Sequence, residues 1–489
     1  MILARRIPEV KPRSPDRQTE AHIMRAEASR LITRRDFLRQ AAVASAVPAF
    51  PLIVPSRLLG ADAPSNRVRV GQIGCGRIAT VHDIPGVVKT GLADVVAVCD
   101  VDSKRAAASK ATVEKLYRDN QAKPPEITVY GDYQELLERK DIDAVVISLP
   151  DHWHAQMALA ATLASKDIYL QKPFTMTLAE GILVRDAVVK SGRIFQIGSQ
   201  QRSWGPDYQF RKACEFVRSG RVGPLRRVEI GLPIDPTAPD DPPQPVPPNL
   251  NYDRWLGSAE TVYYTEQRVH SQTDVTSRPG WLRHESYCLG MITGWGAHHF
   301  DTAHWGLDCE MSGPGRVEGK AEFPKNKIWN VHGACEVELL YPRGIHMHVS
   351  NRFPTGIKFI GDEGWIFVTR ENTKTTASDP NVVPTYLKTL DASDPKLLDP
   401  NGVKVELYRS SEHHQNWLEC VKSRRTPAAP ASVAHRSTSA CIVSWISMKL
   451  GRPLTWDADK ERFVNDDQAN AMLTRPERAP YGAMRLARS

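Results

Sequence analysis

Residues 67–74, "RVRVGQIG", predict a short apolar strand that runs directly into Gly74-Cys75-Gly76-Arg77-Ile78-Ala79, a G-x-G-x-x-A turn opening a helix. No other stretch restricts the fold as strongly. Gly74 permits the tight turn, Gly76 lets the backbone approach a pyrophosphate, and Ala79 lets the helix lie close on the strand. Arg77 and Ile78 ride in the same turn, and the helix N-terminus offers free N–H groups and the positive end of its dipole to phosphates. A second apolar run, "ADVVAVCD" (93–100), ends in Asp100, 26 residues after Gly74. An acid there can hydrogen-bond the ribose diol of NAD. Lys104 and Arg105, just beyond it, can hold a 2′-phosphate, so NADP stays open as the alternative cofactor.

Strand and helix patterns then alternate as far as residue 199. "ITVY", "IDAVVISLP", "DIYLQKP" and "RIFQIGS" read as strands; "DYQELLER", "HAQMALAATLAS" and "LAEGILVRDAVVKS" read as helices. Such alternation predicts an α/β Rossmann domain with a doubly wound parallel sheet, whose ligands sit at the carboxyl ends of the strands. That rule sets Leu149, Pro150, His154, Gln171, Lys172 and Gln200 on one rim with the glycine turn, as cofactor-binding candidates. After about residue 205 the pattern changes. A Pro-rich loop, "PIDPTAPDDPPQPVPP", is followed by alternating segments such as "ACEVELLY" and "GIHMHVSNRF", then two helical segments and an extended tail. These predict a large mixed or antiparallel sheet. The expected division is an arm and leader over 1–65, a dinucleotide domain over 66–200 and a substrate and oligomerisation domain over 201–489.

The leader expectation rests on "TRRDFLRQAAVASAVPAF" (33–50), a twin arginine before a mild Ala/Val run. Residues 1–66 carry 11 Lys and Arg against 6 Asp and Glu, more than half of the chain's net charge of +8. Positive charge before an apolar run is an export signature, and the body holds no basic block that would suit nucleic acid. The apolar run Ala41–Val54 is shorter than the ~20 residues a spanning helix needs, and Pro48 and Pro51 interrupt it. Export by the twin-arginine (Tat) machinery to a periplasmic or extracytoplasmic site follows as an expectation, with tethering if the leader is uncleaved. Eight cysteines form no C-x-x-C pair and no zinc spacing; buried thiols suit a protein that folds before it travels.

With these pieces in place, the chain resembles the glucose–fructose oxidoreductase / inositol dehydrogenase / MocA (Gfo/Idh/MocA) family. The resemblance rests on "GCGRIA", "LPDHWHA", "YLQKPFT", "IGSQQRS", "GWGAHHFDTAHWGL", "SNRFPTGIKFIGDEGWIFV" and "AHRS". It implies a second, α+β domain with a large, open, mostly antiparallel sheet, NAD(P)-linked redox chemistry on sugars or polyols, and a homodimer or homotetramer formed through that open sheet. The family's Glu-Lys-Pro signature is Gln171-Lys172-Pro173 here, so the resemblance makes Lys172 a catalytic residue beside the reacting hydroxyl. It makes His298 the acceptor of the hydroxyl proton. The family's Asp four residues earlier is Gly294, which leaves His298 to act alone or to be oriented by Asp301 or a carboxylate from elsewhere. His154 is expected to line the cofactor cleft, and no metal is expected at the scattered histidines.

Gln200, Arg202, Arg268, His270, Trp281, Arg283 and His299 are the substrate-facing candidates, since polar donors among tryptophans suit a polyol with an apolar ring face. The leading expectation is an exported NAD(P)-dependent oxidoreductase of a sugar, sugar acid or cyclitol. An alternative keeps the dinucleotide tightly held and oxidises a sugar carbon only transiently, so that a glycosidic bond is eliminated and the hydride returned. A non-catalytic sugar-binding protein is a third.

Overall fold

The computed structural model describes residues 66–203, 208–325, 328–370 and 388–488. The twin-arginine leader lies outside the described residues. Two sheets organise the rest, within one compact unit.

The first sheet is built from β1 (Val68–Ile73), β2 (Ala93–Cys99), β3 (Thr128–Tyr130), β4 (Ala144–Ile147), β5 (Asp167–Leu170) and β6 (Phe195–Ile197), in the order β3-β2-β1-β4-β5-β6. Every pairing is parallel. β4 (AVVI) and β5 (DIYL) are buried at every position, as strands covered on both faces must be. The helices between them are stopped by local chemistry. Thr177 and Glu180 form a capping box at the start of Leu178–Ser191, and Gly192 ends that helix at φ 65°.

The second sheet contains β7 (Leu225–Gly231), β8 (Arg316–Ala321), β9 (Cys335–Tyr341), β10 (Ile345–Ser350), β11 (Gly356–Gly361), β12 (Gly364–Val368), β13 (Leu390–Ala392), β14 (Leu454–Asp457) and β15 (Arg462–Phe463). Its order is β13-β12-β11-β7-β10-β9-β8-β14-β15, and only the β7–β10 pair is parallel. β9 shows why one face stays wet: Cys335, Val337, Leu339 and Tyr341 point inward while Glu336, Glu338 and Leu340 point out. Behind the inner face lie the helices Gly296–Leu307 and Ala431–Leu450, both buried nearly all round.

The chain then returns to the first sheet. Trp417 and Leu418, on the helix His413–Ser423, pack in one core with Val68, Val70 and Val98. The segment expected as an extended tail instead supplies β14, β15 and two short helices, Asp467–Ala471 and Ala483–Leu486. All eight cysteines are free thiols, seven of them buried. Among the described residues no helix is long and apolar enough to cross a membrane.

Candidate functional site

β1 delivers its carboxyl end to Gly74, whose φ of +85° belongs to the left-handed region that favours glycine. A Cβ on Gly76, by contrast, would meet nothing within 4 Å, so the turn leaves an open cradle beside a helix N-terminus. The cradle opens into a cavity of about 430 Å³ lined by Gly74, Gly76, Arg77, Ile78 and Asp100 at one end and by Leu149, Pro150, Asp151, Gln171 and Lys172 at the other. These residues come from the carboxyl ends of β1, β2, β4 and β5, as the sheet's winding dictates.

Asp100 does more than await a ribose. Its Oδ2 accepts the Cys75 N–H at 2.7 Å and its Oδ1 accepts the Asp102 N–H at 2.8 Å, so it braces the glycine turn. Burial raises its pKa, against those two hydrogen bonds, which lower it. Each oxygen retains a second lone pair for a ligand hydroxyl.

Gln171 carries a physical reason for its departure from the expected glutamate. The helix that follows the glycine turn passes through a wider π turn, Ala79–Asp83, and the buried Asp83 ends it. Gln171 Nε2 donates to Asp83 Oδ1 at 2.8 Å, and Ser148 Oγ donates to Oδ2 at 2.6 Å. His82 Nδ1 and His414 Nε2 also lie 2.9 and 3.1 Å from Oδ1. A glutamate at 171 would set a second carboxylate against a buried one. Among the described residues, His82, Asp83 and His414 are the one group with ligand atoms close enough for a metal. Asp83 Oδ1 is already ringed by three nitrogens, and the group is built as a hydrogen-bond network.

That network has a pH signature. Burial lowers the pKa of His414, but its hydrogen bonds to Asp83 and Glu412 outweigh this and push it up to about 9 from 6.5. Asp83 moves oppositely: burial raises its pKa, and the hydrogen bonds from His414 and His82 carry it well below the usual carboxylate range. A raised histidine contributes stability that is complete below pH 6.5 and lost as pH climbs through 9. Thermal melts are therefore expected to show a loss on the order of 3 kcal/mol across that interval. His414→Gln should lie lower throughout and lack the slope; an unchanged slope would refute the assignment.

Lys172 Nζ donates to the Gly294 carbonyl at 2.9 Å. This joins the β5 rim to the turn that enters the His298 helix, at the position where the family pattern has a carboxylate and this chain has none. His298 itself is 1% exposed, with neither ring nitrogen hydrogen-bonded among the described residues and no place in the cavity lining. Burial, then the Arg370 and Lys172 charges, holds its pKa well below 6.5. Asp301 does not orient it.

Other expected site residues are placed elsewhere. Arg202 makes a buried two-pronged pair with Asp301, 2.7 and 2.9 Å, and a third bond to Glu310, so its guanidinium is spent inside the protein. Arg268 contacts His284 at 2.8 Å, Arg283 lies over Trp329, and His299 is buried against Trp295. None of these four lines the cavity, whereas His270 and Trp281 do. His154 is not in the lining either. Its ring nitrogens lie 2.6 Å from the Pro173 carbonyl and 2.9 Å from the Leu149 carbonyl, so it ties two rim segments together. The Gln200 and Gln171 side chains both close over Gly198, where a Cβ would meet Gln171 Oε1 and Gln200 Nε2.

Sequence reasoning reached only part of the roof: His270 and Trp281 are among the substrate-facing candidates, whereas Arg254, Trp255, Pro480 and Tyr481 are not. Residues 250–283 contribute Arg254, Trp255, His270 and Trp281, and the C-terminal segment contributes Pro480 and Tyr481. Asp102 pins the first segment, contacting His270 Nε2 at 3.0 Å and accepting from Asn249 Nδ2 at 2.8 Å. Asp253 pins the second, accepting from Arg478 at 2.6 Å and from the Tyr481 hydroxyl at 2.8 Å. Asp151 is a further residue that the sequence did not single out, although it stands inside the motif "LPDHWHA". It is 3% exposed and begins the helix Asp151–Leu163.

Comparison with known proteins fits this architecture. Residues 68–199 match the family described as "Oxidoreductase family, NAD-binding Rossmann fold" (GFO_IDH_MocA). Residues 238–369 and 398–483 match its companion, "Oxidoreductase family, C-terminal alpha/beta domain". The chain is 29% identical over 192 residues to a myo-inositol 2-dehydrogenase of Thermotoga maritima, covering 39% of this chain and 49% of that one. It is 34% identical over 163 residues to an inositol 2-dehydrogenase of Acidothermus cellulolyticus, covering 33% and 43%. The chain thus spans about half the length, or less, of the curated relatives it matches. In fold it is similar to the WlbA dehydrogenase of Bordetella pertussis, solved with NADH and UDP-GlcNAcA (TM-score 0.56, 16% identity, 80% of this chain and 100% of that one). It is also similar to the aldose-aldose oxidoreductase of Caulobacter crescentus, solved with glycerol (TM-score 0.55, 14% identity, 80% and 99%).

Proposed function

Because this chain belongs to the Gfo/Idh/MocA oxidoreductase family, we propose that it oxidises or reduces a CH–OH group of a sugar, sugar acid or cyclitol, using an NAD that it does not release. The observation that carries this reading is the roof. The cavity wall is completed by two segments that are distant in sequence from the glycine turn, each hydrogen-bonded in place through a carboxylate, Asp102 or Asp253. The names of the inositol 2-dehydrogenases and of WlbA support a polyol or sugar substrate.

The residues fit a dinucleotide. Gly74 and Gly76 give the pyrophosphate a Cβ-free cradle, Arg77 supplies charge beside it, and Asp100 offers lone pairs to a ribose diol. When bound, NAD supplies the acceptor or donor of hydride. Lys172, whose Nζ is directed as a donor, holds the reacting oxygen and favours the charge that develops on it. His270 and Trp281 remain as substrate-facing candidates. The roof keeps bulk water from competing for these contacts. Retention also suits the proposed export by the twin-arginine route, because a protein loaded before it travels needs no external supply of NAD.

The test is the dinucleotide content of protein dialysed exhaustively, released by acid and typed enzymatically. A near-stoichiometric yield of NAD is expected. Protein that emerges empty and rebinds added NAD weakly would defeat the retention reading. Release of aglycone from a glycoside with no net change in the bound NAD would assign the transient-oxidation chemistry instead.

A further inference from the structure

Near the Lys172 end of the cavity, three groups could exchange a proton with a substrate hydroxyl. Lys172 is set up as a donor by its bond to the Gly294 carbonyl. His298 is sealed off from the cavity lining, and its neighbours Arg370, Lys172, His299 and His413 all add to the burial that weakens it as a base. Asp151 lines the cavity itself. Its carboxyl is buried, yet among the described residues it makes no hydrogen bond to another residue and no ion pair within 4.0 Å. A buried carboxyl whose only hydrogen bond is to its own backbone N–H is poorly compensated, and one kept at the wall of a cleft beside a single lysine has the marks of chemistry rather than packing.

We propose that Asp151 is the proton-exchanging group of the reaction and that Lys172 is the donor holding the substrate oxygen. The proposal rests on the oxidoreductase reading above. In the oxidation direction the substrate O–H bond breaks and its proton passes to the Asp151 carboxylate. The C–H bond on the same carbon breaks with its electron pair leaving for the oxidised dinucleotide, and the carbonyl forms. The carbon loses two electrons, the dinucleotide gains them, and Asp151 later gives its proton to solvent. This places the missing carboxylate on the dinucleotide-binding side of Lys172 rather than four residues before His298.

Electrostatics agree with the geometry. Burial raises the Asp151 pKa, the Lys172 charge and its own backbone N–H lower it, and burial wins, pushing it up to about 8. A base with that affinity is matched to neutral pH. The other titratable groups in this neighbourhood are Cys288, whose thiol burial and then Asp151 push up, and His154 and His298, both held neutral by burial with Lys172 adding to the effect.

Infrared difference titration of the holoenzyme tests the group directly, for the parent, Asp151→Asn and Lys172→Met. A neutral-acid carbonyl band is expected that Asp151→Asn removes and that disappears as pH rises through about 8. In Lys172→Met it should persist to higher pH, because the charge that lowers the Asp151 pKa is gone. Absence of such a band, or a band indifferent to Lys172→Met, overturns the proposal whatever the substrate proves to be.

Kinetics then follow NAD reduction with myo-inositol, glucose and gluconate as probes. Asp151→Asn should lower the rate by at least ~100-fold and erase the corresponding limb of the pH profile, and Asp151→Glu should restore part of both. An Asp151→Asn enzyme that keeps the limb overturns the assignment. A parent enzyme that turns over none of the probes counts against the polyol reading alone, and the infrared titration still decides the role of Asp151.

Discussion

Methionine in place of Lys172 is expected to cut the rate of dinucleotide reduction by about 10²–10⁴-fold while the protein keeps its fold and its NAD. The substitution retains the length and apolar stem of the side chain and deletes the ammonium. With the ammonium goes the 2.9 Å bond to the Gly294 carbonyl, a link at the domain junction that packing around Pro173 and Phe174 can survive. What cannot be replaced is a charged donor at the carboxyl end of β5, where the sheet's winding brings ligands. An interaction that strengthens as charge develops on oxygen appears in kcat more than in KM. Single-turnover reduction of the bound NAD, with dinucleotide content measured on the same sample, separates the two. A rate within about tenfold of the parent's would assign Lys172 to structure alone.

The second large effect is expected at Gly74, and Gly76 is its control. At Gly74 a Cβ would stand 2.4 Å from the Ser148 carbonyl oxygen and 2.8 Å from its carbon, at a φ of +85°. The obstacle is backbone of the neighbouring β4 rim, so β1 and β4 must part for Gly74→Ala to be housed. A loss of roughly 2–4 kcal/mol in stability is expected, together with loss of dinucleotide. Gly76→Ala meets nothing within 4 Å and should fold normally. Its methyl group instead occupies the space meant for phosphate, so the dinucleotide content falls while the stability of the dinucleotide-free protein is unchanged. Denaturant unfolding and acid-released NAD, measured on both variants, check the pair. Equal stability for the two would mean that the turn is not strained as described.

The sequence was most legible where local pattern and tertiary environment coincide. Runs such as "AVVI" and "DIYL" announce strands covered on both faces, and "CEVELLY" announces a sheet with one wet face. The glycine turn is legible because its residues are needed for reasons internal to a few positions. Arg202 was misjudged for the opposite reason. An arginine that meets a substrate and one that meets Asp301 and Glu310, each about a hundred positions away, look identical in sequence. The same holds for His154, whose partners are two carbonyls of its own rim. Asp151 was overlooked because it differs from any helix-opening aspartate only in what surrounds it: the depth of the cavity and the lysine delivered by the next strand. Beyond His270 and Trp281 the roof had no local signal. Nothing around Pro480 and Tyr481 indicates that they travel back to a pocket opened some four hundred residues earlier.

That return journey sets an order of events during synthesis. A cavity whose wall includes Pro480 and Tyr481 is not complete until residue 481 has left the ribosome. The glycine turn and the six-stranded sheet are made long before, and they wait with one side of the pocket open. Closure of the pocket therefore waits on a segment made some four hundred residues after the cradle. The segment carrying Pro480 and Tyr481 acts as the latch, and a chain cut short ahead of it would present the cradle without the means to close it.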